Sequence, residues 1–169
     1  MNSQTDRPNQ PGYFDPVGFT IVSPRRFEDL RVGEVFRAPS RTLTDAHASA
    51  FQTVSADNHP IHYDVEYCRA RGLPGMLAHG FQTLIQTAPG AGLFPFLTED
   101  SLVGFLEQSS RFLKPVFAGD TLYTALEVDE LSPNRTTGVI GLRSTVHNQR
   151  RELVLEGRLR FLLRKRGSP

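Results

Sequence analysis

The chain has 169 residues, enough for one domain that buries its own core. Lys and Arg number 19 against 18 Asp and Glu, and until the tail the basic residues are spread out, so nucleic acid has no basic stripe to follow. The single cysteine, Cys68, excludes an internal disulfide, and no window approaches the roughly 20 apolar residues of a membrane span.

Residues 1–18, rich in Pro, Gly, Asn and Asp, read as a loosely draped arm without the apolar run of a signal peptide. With the reducing compartment that one cysteine suits, this predicts a cytoplasmic protein. Phe27–Phe36 reads as a turn into a first strand, with Gly33 at the bend and Val35 and Phe36 on pleated surface. Thr42 or Thr44 is a candidate helix N-cap, with Asp45 in the first turn. Ala46, Ala50, Phe51 and Val54 recur at helical spacing and predict a short amphipathic helix ending near Ser55.

After a loop, Asp64 is placed to cap a second short helix, Val65 to Arg71, which stops at Gly72 and Pro74. Cys68 on that helix reads as a half-buried small residue. The longest helix is expected from His79 or Gly80 to Thr87, its far end left open by Pro89-Gly90. Its low charge predicts burial, with Phe81, Leu84, Ile85 and Ala88 on the apolar side.

From Ser101 the period changes. Leu102–Val116, Thr121–Leu131, Thr136–Val146 and Leu153–Leu163 are four β-like runs separated by turn chemistry. Pro115 inside the first run demands an edge or a bulge. One early strand, then helices, then four strands predict an α+β domain with helices on one face. The domain is set at residues 19–164, and Arg164-Lys165-Arg166 leads into a solvated basic tail at 165–169.

The chemistry gathers in Ser55-Ala56-Asp57-Asn58-His59-Pro60-Ile61-His62-Tyr63-Asp64, with Ala78-His79-Gly80-Phe81 further on. Asp57 and His62 have the equipment to position one water and exchange protons with it near neutral pH. Pro60 fixes its own φ and pushes His59 towards an extended conformation, so the loop is stiff. The bland reading is an Asx-turn at Asp57 with His62 hydrogen-bonded in a loop. A zinc reading counts Asp57, His59, His62, Asp64 and His79 as ligands. His59 and His62 straddle a proline instead of sharing a helix face, however, and no cysteine joins them, so no metal is expected.

Asp57-Asn58-His59-Pro60-Ile61-His62 resembles the Asp-x-Asn-Pro-x-His signature of the MaoC-like dehydratases and R-specific enoyl-CoA hydratases. Ala78-His79-Gly80-Phe81 and Phe112-Leu113-Lys114-Pro115-Val116-Phe117-Ala118-Gly119-Asp120 match in order, so the likeness runs from about residue 27 to about 163. It implies a single hotdog domain, an antiparallel sheet wrapped around a central helix, that pairs into a homodimer or a higher oligomer of dimers. It also implies reversible hydration of trans-2-enoyl thioesters to (R)-3-hydroxyacyl thioesters, with water held by Asp57 and His62. Which of the two moves the proton is left open. Gly80 would supply a backbone N–H to the thioester carbonyl, the alternative being a glycine needed for close packing. His79 is expected to orient the loop, and both histidines, His59 and His79, border the substrate.

His59 stands where the signature has Asn, so that Asn's role does not carry over. No cofactor is expected, coenzyme A entering as part of an acyl-CoA substrate, with an acyl-carrier protein as the other possible carrier. The rival readings are an acyl-CoA thioesterase on the same scaffold and a non-catalytic acyl-CoA-binding protein, since fold does not fix function.

Overall fold

The computed structural model describes Pro16 and residues 19–167. The arm expected at 1–18 lies outside the described residues except for Pro16. Six strands form one antiparallel sheet: β1 (Val35–Arg37), β2 (Arg41–Thr42), β3 (Leu102–Phe112), β4 (Thr121–Pro133), β5 (Thr137–Asn148) and β6 (Leu153–Arg164). The order is β1-β4-β5-β6-β3, with β2 also on β4. The helices α1 (Asp45–Ser55), α2 (Val65–Arg69), α3 (Gly80–Leu84) and α4 (Phe94–Leu97) all lie between β2 and β3 in sequence. The fold is α+β, as expected; β2 is the one strand the sequence pattern did not suggest.

Alternation decides what the sheet buries. Along β4, Leu122, Thr124, Leu126 and Val128 point inward, and Ile140, Leu142 and Val146 of β5 do the same. One core cluster joins Phe27, Phe36, Phe94, Val128, Ile140 and Phe161 with their neighbours. A second joins Leu43, Val116, Leu122, Val146, Val154 and Leu155, with Ala78 and Leu84 packed against it. This second cluster is the floor beneath His79 and Gly80. Cys68 is fully buried rather than half-buried, its thiol directed at the Ile61 carbonyl.

Five expectations need correction. The long helix is one α-helical stretch of five residues followed by 3-10 turns at Ile85–Thr87 and Pro89–Ala91. Its buried side is polar, Gln82, Thr83 and Thr87, while Phe81 is 69 % and Ile85 52 % exposed. In the same way α1 buries none of its residues, and Val54 is exposed. These apolar side chains, with Leu102, Val103, Phe105, Leu106 and Phe112 of the edge strand β3, leave a broad apolar surface uncovered on the single chain. Pro115 falls beyond β3, in the connection that pairs Leu77 with Phe117. The basic end is engaged: Lys165 N–H bonds to the Thr136 carbonyl, and Arg166 pairs with Asp29.

The turn at Phe117–Asp120 ties the sheet to the segment carrying the site. Asp120, only 4 % exposed, accepts hydrogen bonds from Phe117 N–H at 3.0 Å, Gln149 Nε2 at 2.6 Å and Arg150 Nη1 at 2.8 Å. Burial pushes its carboxyl up, but these partners outweigh burial and hold it below its ordinary value. Asn148, Lys114 and Arg150 hold the neighbouring Glu152 down at about 2. Carboxyls depressed on folding stabilise the fold at neutral pH and lose that contribution as pH falls through their folded values. The expected result is a melting temperature that drops as pH goes from about 4.5 towards 2. Asp120→Ala orphans the Phe117 N–H and should cost about 3 kcal/mol at pH 7, a fall of about 6–12 °C in Tm by calorimetry. A change below 2 °C, with an unaltered acid limb, would contradict this account of the turn.

Candidate active site

α1 begins at Thr44, whose N–H and hydroxyl both meet His47 Nδ1 in a reciprocal cap. It ends at Ala56, held at φ 55°, a left-handed conformation that costs an alanine on the order of 1 kcal/mol. That bend swings the chain out of the helix and presents Asp57. His59 is extended, as Pro60 requires, and Pro60–His62 closes a single 3-10 turn whose first free N–H, Ile61, is taken by His59 Nδ1 at 3.3 Å. Tyr63 ties the loop back through a hydroxyl bond to the Asn58 carbonyl. Asp64 caps α2 through the Tyr67 N–H, as its sequence position predicts.

His62 Nδ1 lies 2.8 Å from the Leu77 carbonyl, so it carries the proton and donates it there. Nε2 is thereby left as the acceptor, and it faces Asp57 Oδ2 at 3.8 Å. That gap is too long for a direct hydrogen bond, but one water oxygen can lie within about 2.8 Å of both atoms.

His79 is 2 % exposed. Its Nε2 donates to the Asp57 carbonyl at 3.2 Å, and its ring stacks under His62 at 3.9 Å between centroids and also meets Phe51. It thus touches both members of the pair, and its Nδ1 is buried with no partner among the described residues. Ligand atoms of Asp57, His62 and His79 lie within 4.8 Å of one another. The two imidazoles stack 23° from parallel, however, so their in-plane lone pairs run side by side instead of converging on one ion.

Gly80 starts α3, and the first N–H groups of a helix have no acceptor inside it. A Cβ added there would meet only the Phe112 ring, at 3.5 Å, an ordinary contact. Packing therefore does not demand the glycine, and neither does its backbone conformation. Two grooves meet at this point. One, about 400 Å³, runs between Phe51, Ser55, Asp57, His79 and Phe81; the other, about 490 Å³, lies along Ile61, His62, Leu77 and Lys114. Gly80 and Phe112 border both, so the Asp57–His62 gap opens where they join. A larger depression of about 540 Å³ lies around Tyr123 and His147, with Arg37 and Arg151 at its rim, but it sets no carboxylate beside an imidazole.

The structure thus brings Asp57, His62, His79 and Gly80 together, and sets His59 outside both grooves, against Tyr67 of α2. Sequence reasoning missed the Leu77 carbonyl, Ser55, whose hydroxyl takes the Asp57 N–H at 3.2 Å, and the Phe112 partition. The Leu77 carbonyl and the Phe112 ring carry no local signal, because each comes from a distant segment; Ser55, two residues before Asp57, is a local turn contact that its position could have suggested.

The comparisons with known proteins bear on the family. The family model described as "MaoC like domain" matches residues 28–148. An (R)-specific enoyl-CoA hydratase of Rhodospirillum rubrum is 26 % identical over 148 residues, covering 83 % of this chain and 93 % of that protein. A mesaconyl-CoA hydratase of Cereibacter sphaeroides is 32 % identical over 85 % of this chain, which spans 42 % of it. Among solved structures, a Mycobacterium tuberculosis protein described as a double hotdog fold superposes with a TM-score of 0.72 at 33 % identity, the match covering 85 % of this chain and 45 % of that one. With its hotdog architecture and its matching domain, this chain belongs to the MaoC-like family.

Proposed function

We propose that the protein hydrates trans-2-enoyl thioesters, coenzyme A being the carrier, to (R)-3-hydroxyacyl thioesters, and runs the reverse dehydration. The observation that carries this reading is the 3.8 Å gap between His62 Nε2 and Asp57 Oδ2, with His62 locked by Leu77 in the tautomer that can accept a proton. The thioester lies across Gly80 and Phe112, with the acyl chain in one groove and the carrier arm in the other. The water oxygen bonds to C3, its proton passes to the Asp57–His62 pair, and the pair returns a proton to C2 on the same face. Gly80 N–H stabilises the charge that gathers on the carbonyl oxygen meanwhile. Water is the only co-reactant, so no redox cofactor or metal enters the scheme. The cytoplasm is the expected setting, which the buried free thiol of Cys68 suits.

Loss of the enoyl-thioester absorbance with crotonyl-CoA and longer 2-enoyl-CoAs, without release of free thiol, is the expected result. Thiol release from saturated acyl-CoA would instead make the protein a thioesterase. Tight binding without turnover on any chain length would make it a binding protein.

The functional unit is a homodimer in this reading. β3 is an edge strand of 11 residues with Leu102, Val103, Phe105 and Leu106 exposed, and a strand of that kind pairs with a second copy or aggregates. Light scattering on the eluted protein should give twice the chain mass. Leu106→Asp, which sets like charges across the joint, should shift it to monomer; a wild-type monomer would sink the proposal.

A further inference from the structure

His59 is the one residue of the loop that departs from the resembled signature, and its geometry gives it a task. The turn Pro60–His62 carries His62, and among the described residues the side chain that caps that turn is His59, whose Nδ1 accepts the Ile61 N–H at 3.3 Å. Its own N–H is held more loosely by Asp57 Oδ1, at 3.4 Å. The exposed ring stands edge-on to Tyr67 at 5.6 Å and to His62 at 6.4 Å between centroids.

An imidazole accepts a hydrogen bond only through an unprotonated nitrogen; with a second proton both nitrogens become donors. The cap therefore exists only while His59 is neutral, because a protonated Nδ1 would set donor against donor at Ile61. An imidazolium would also place a positive charge beside His62 and oppose the arrival of a proton there. An asparagine at this position would cap through its amide oxygen at every pH, with no charge change. The groups that bear on His59 are Asp57 and His62 on its own loop, with Tyr67 and Arg71, which lies over the Tyr67 ring, and the α2 cap Asp64. Asp57 and Asp64 favour the cation; Arg71 and a protonated His62 oppose it.

We propose that His59 is a positioning residue that makes the catalytic turn depend on pH, holding the Pro60–His62 turn while neutral and releasing it on taking up a second proton. This rests on the hydratase reading only for its effect on turnover; the release itself is a property of the loop.

Two measurements test it separately. The first follows the Ile61 amide by NMR from pH 8 to pH 5.5 in the wild type, His59→Asn and His59→Ala. The amide should lose its hydrogen-bonded shift and exchange faster at low pH in the wild type, stay bonded throughout in His59→Asn, and be unbonded throughout in His59→Ala. An Ile61 amide that behaves alike in the wild type and His59→Asn overturns the proposal whether or not the protein turns over enoyl-CoA. The second is the ratio of kcat at pH 5.5 to kcat at pH 8 with crotonyl-CoA. That ratio should be at least about fivefold lower in the wild type than in His59→Asn. Equal ratios would show that the turn does not govern catalysis, which also overturns the positioning role. A wild type inactive at both pH values would count against the hydratase reading, and the NMR result would then decide the fate of the cap.

Discussion

Asp57→Asn is expected to lower kcat for crotonyl-CoA hydration by about 10²–10⁴-fold, the range of a positioned acid–base group. The substitution keeps the shape of the side chain and removes its charge and one acceptor, so the water loses its second anchor opposite His62 Nε2. KM should change little, because the Asp57 carboxylate serves the reacting water and not the ground-state thioester. The fold should be untouched: the side chain is 50 % exposed, and its one hydrogen bond among the described residues is the long contact to His59 N–H. A melting temperature within about 1–2 °C of wild type is the control. His62→Ala should cost as much in kcat and more in stability, since it also leaves the Leu77 carbonyl without its donor at 2.8 Å. The double variant should be no worse than the worse single one, because both groups act on a single water. Multiplying losses would mean that Asp57 and His62 work on separate steps, and full activity in Asp57→Asn would remove the assignment.

Gly80→Ala should lower kcat/KM by at least tenfold, roughly 1.4 kcal/mol of transition-state stabilisation, while leaving the protein folded. The new methyl group meets only Phe112, at 3.5 Å, and alanine is the better helix former, so Tm should hold or rise slightly. What the methyl takes away is close access to the backbone N–H where the two grooves meet. Phe112→Ala in the same chain separates the two meanings of the glycine. A packing glycine would be relieved once the ring is gone, and activity would return. A glycine kept open for the thioester would not be relieved, and the double variant would stay impaired.

The two predictions rest on residues of different legibility. Asp57 and His62 sit five positions apart on one loop, stiffened by a proline that sets its neighbour's backbone, so their pairing was readable from local rules. The caps at Thr44 and Asp64 were readable for the same reason, as were the four long strands, because a helix start or a strand period is written in a few adjacent residues. Gly80 was readable as a candidate, but whether it served packing or access depended on the position of Phe112, 32 residues on in the chain.

The failures have one physical source. The segment after His79 was expected to bury Phe81 and Ile85, yet the chain buries Gln82, Thr83 and Thr87 against the sheet. Periodicity tells which residues share a helix face, but not which neighbour that face will meet. Here the apolar faces of α1 and α3 point to the same open side as the β3 edge, a choice made by the packing of the whole domain.

The sequence by itself determined the α+β class, the strand-rich second half, the helix caps and the Asp57–His62 pair, all set by interactions within a few residues. Only the tertiary structure decided the His62 tautomer through Leu77, the stacking of His79 beneath it, the partition of the grooves by Phe112 and the exposure of the apolar helix faces. Each of these depends on chain segments brought together from far apart, and burial and hydrogen-bond partners across such distances are fixed by packing, which no local pattern encodes.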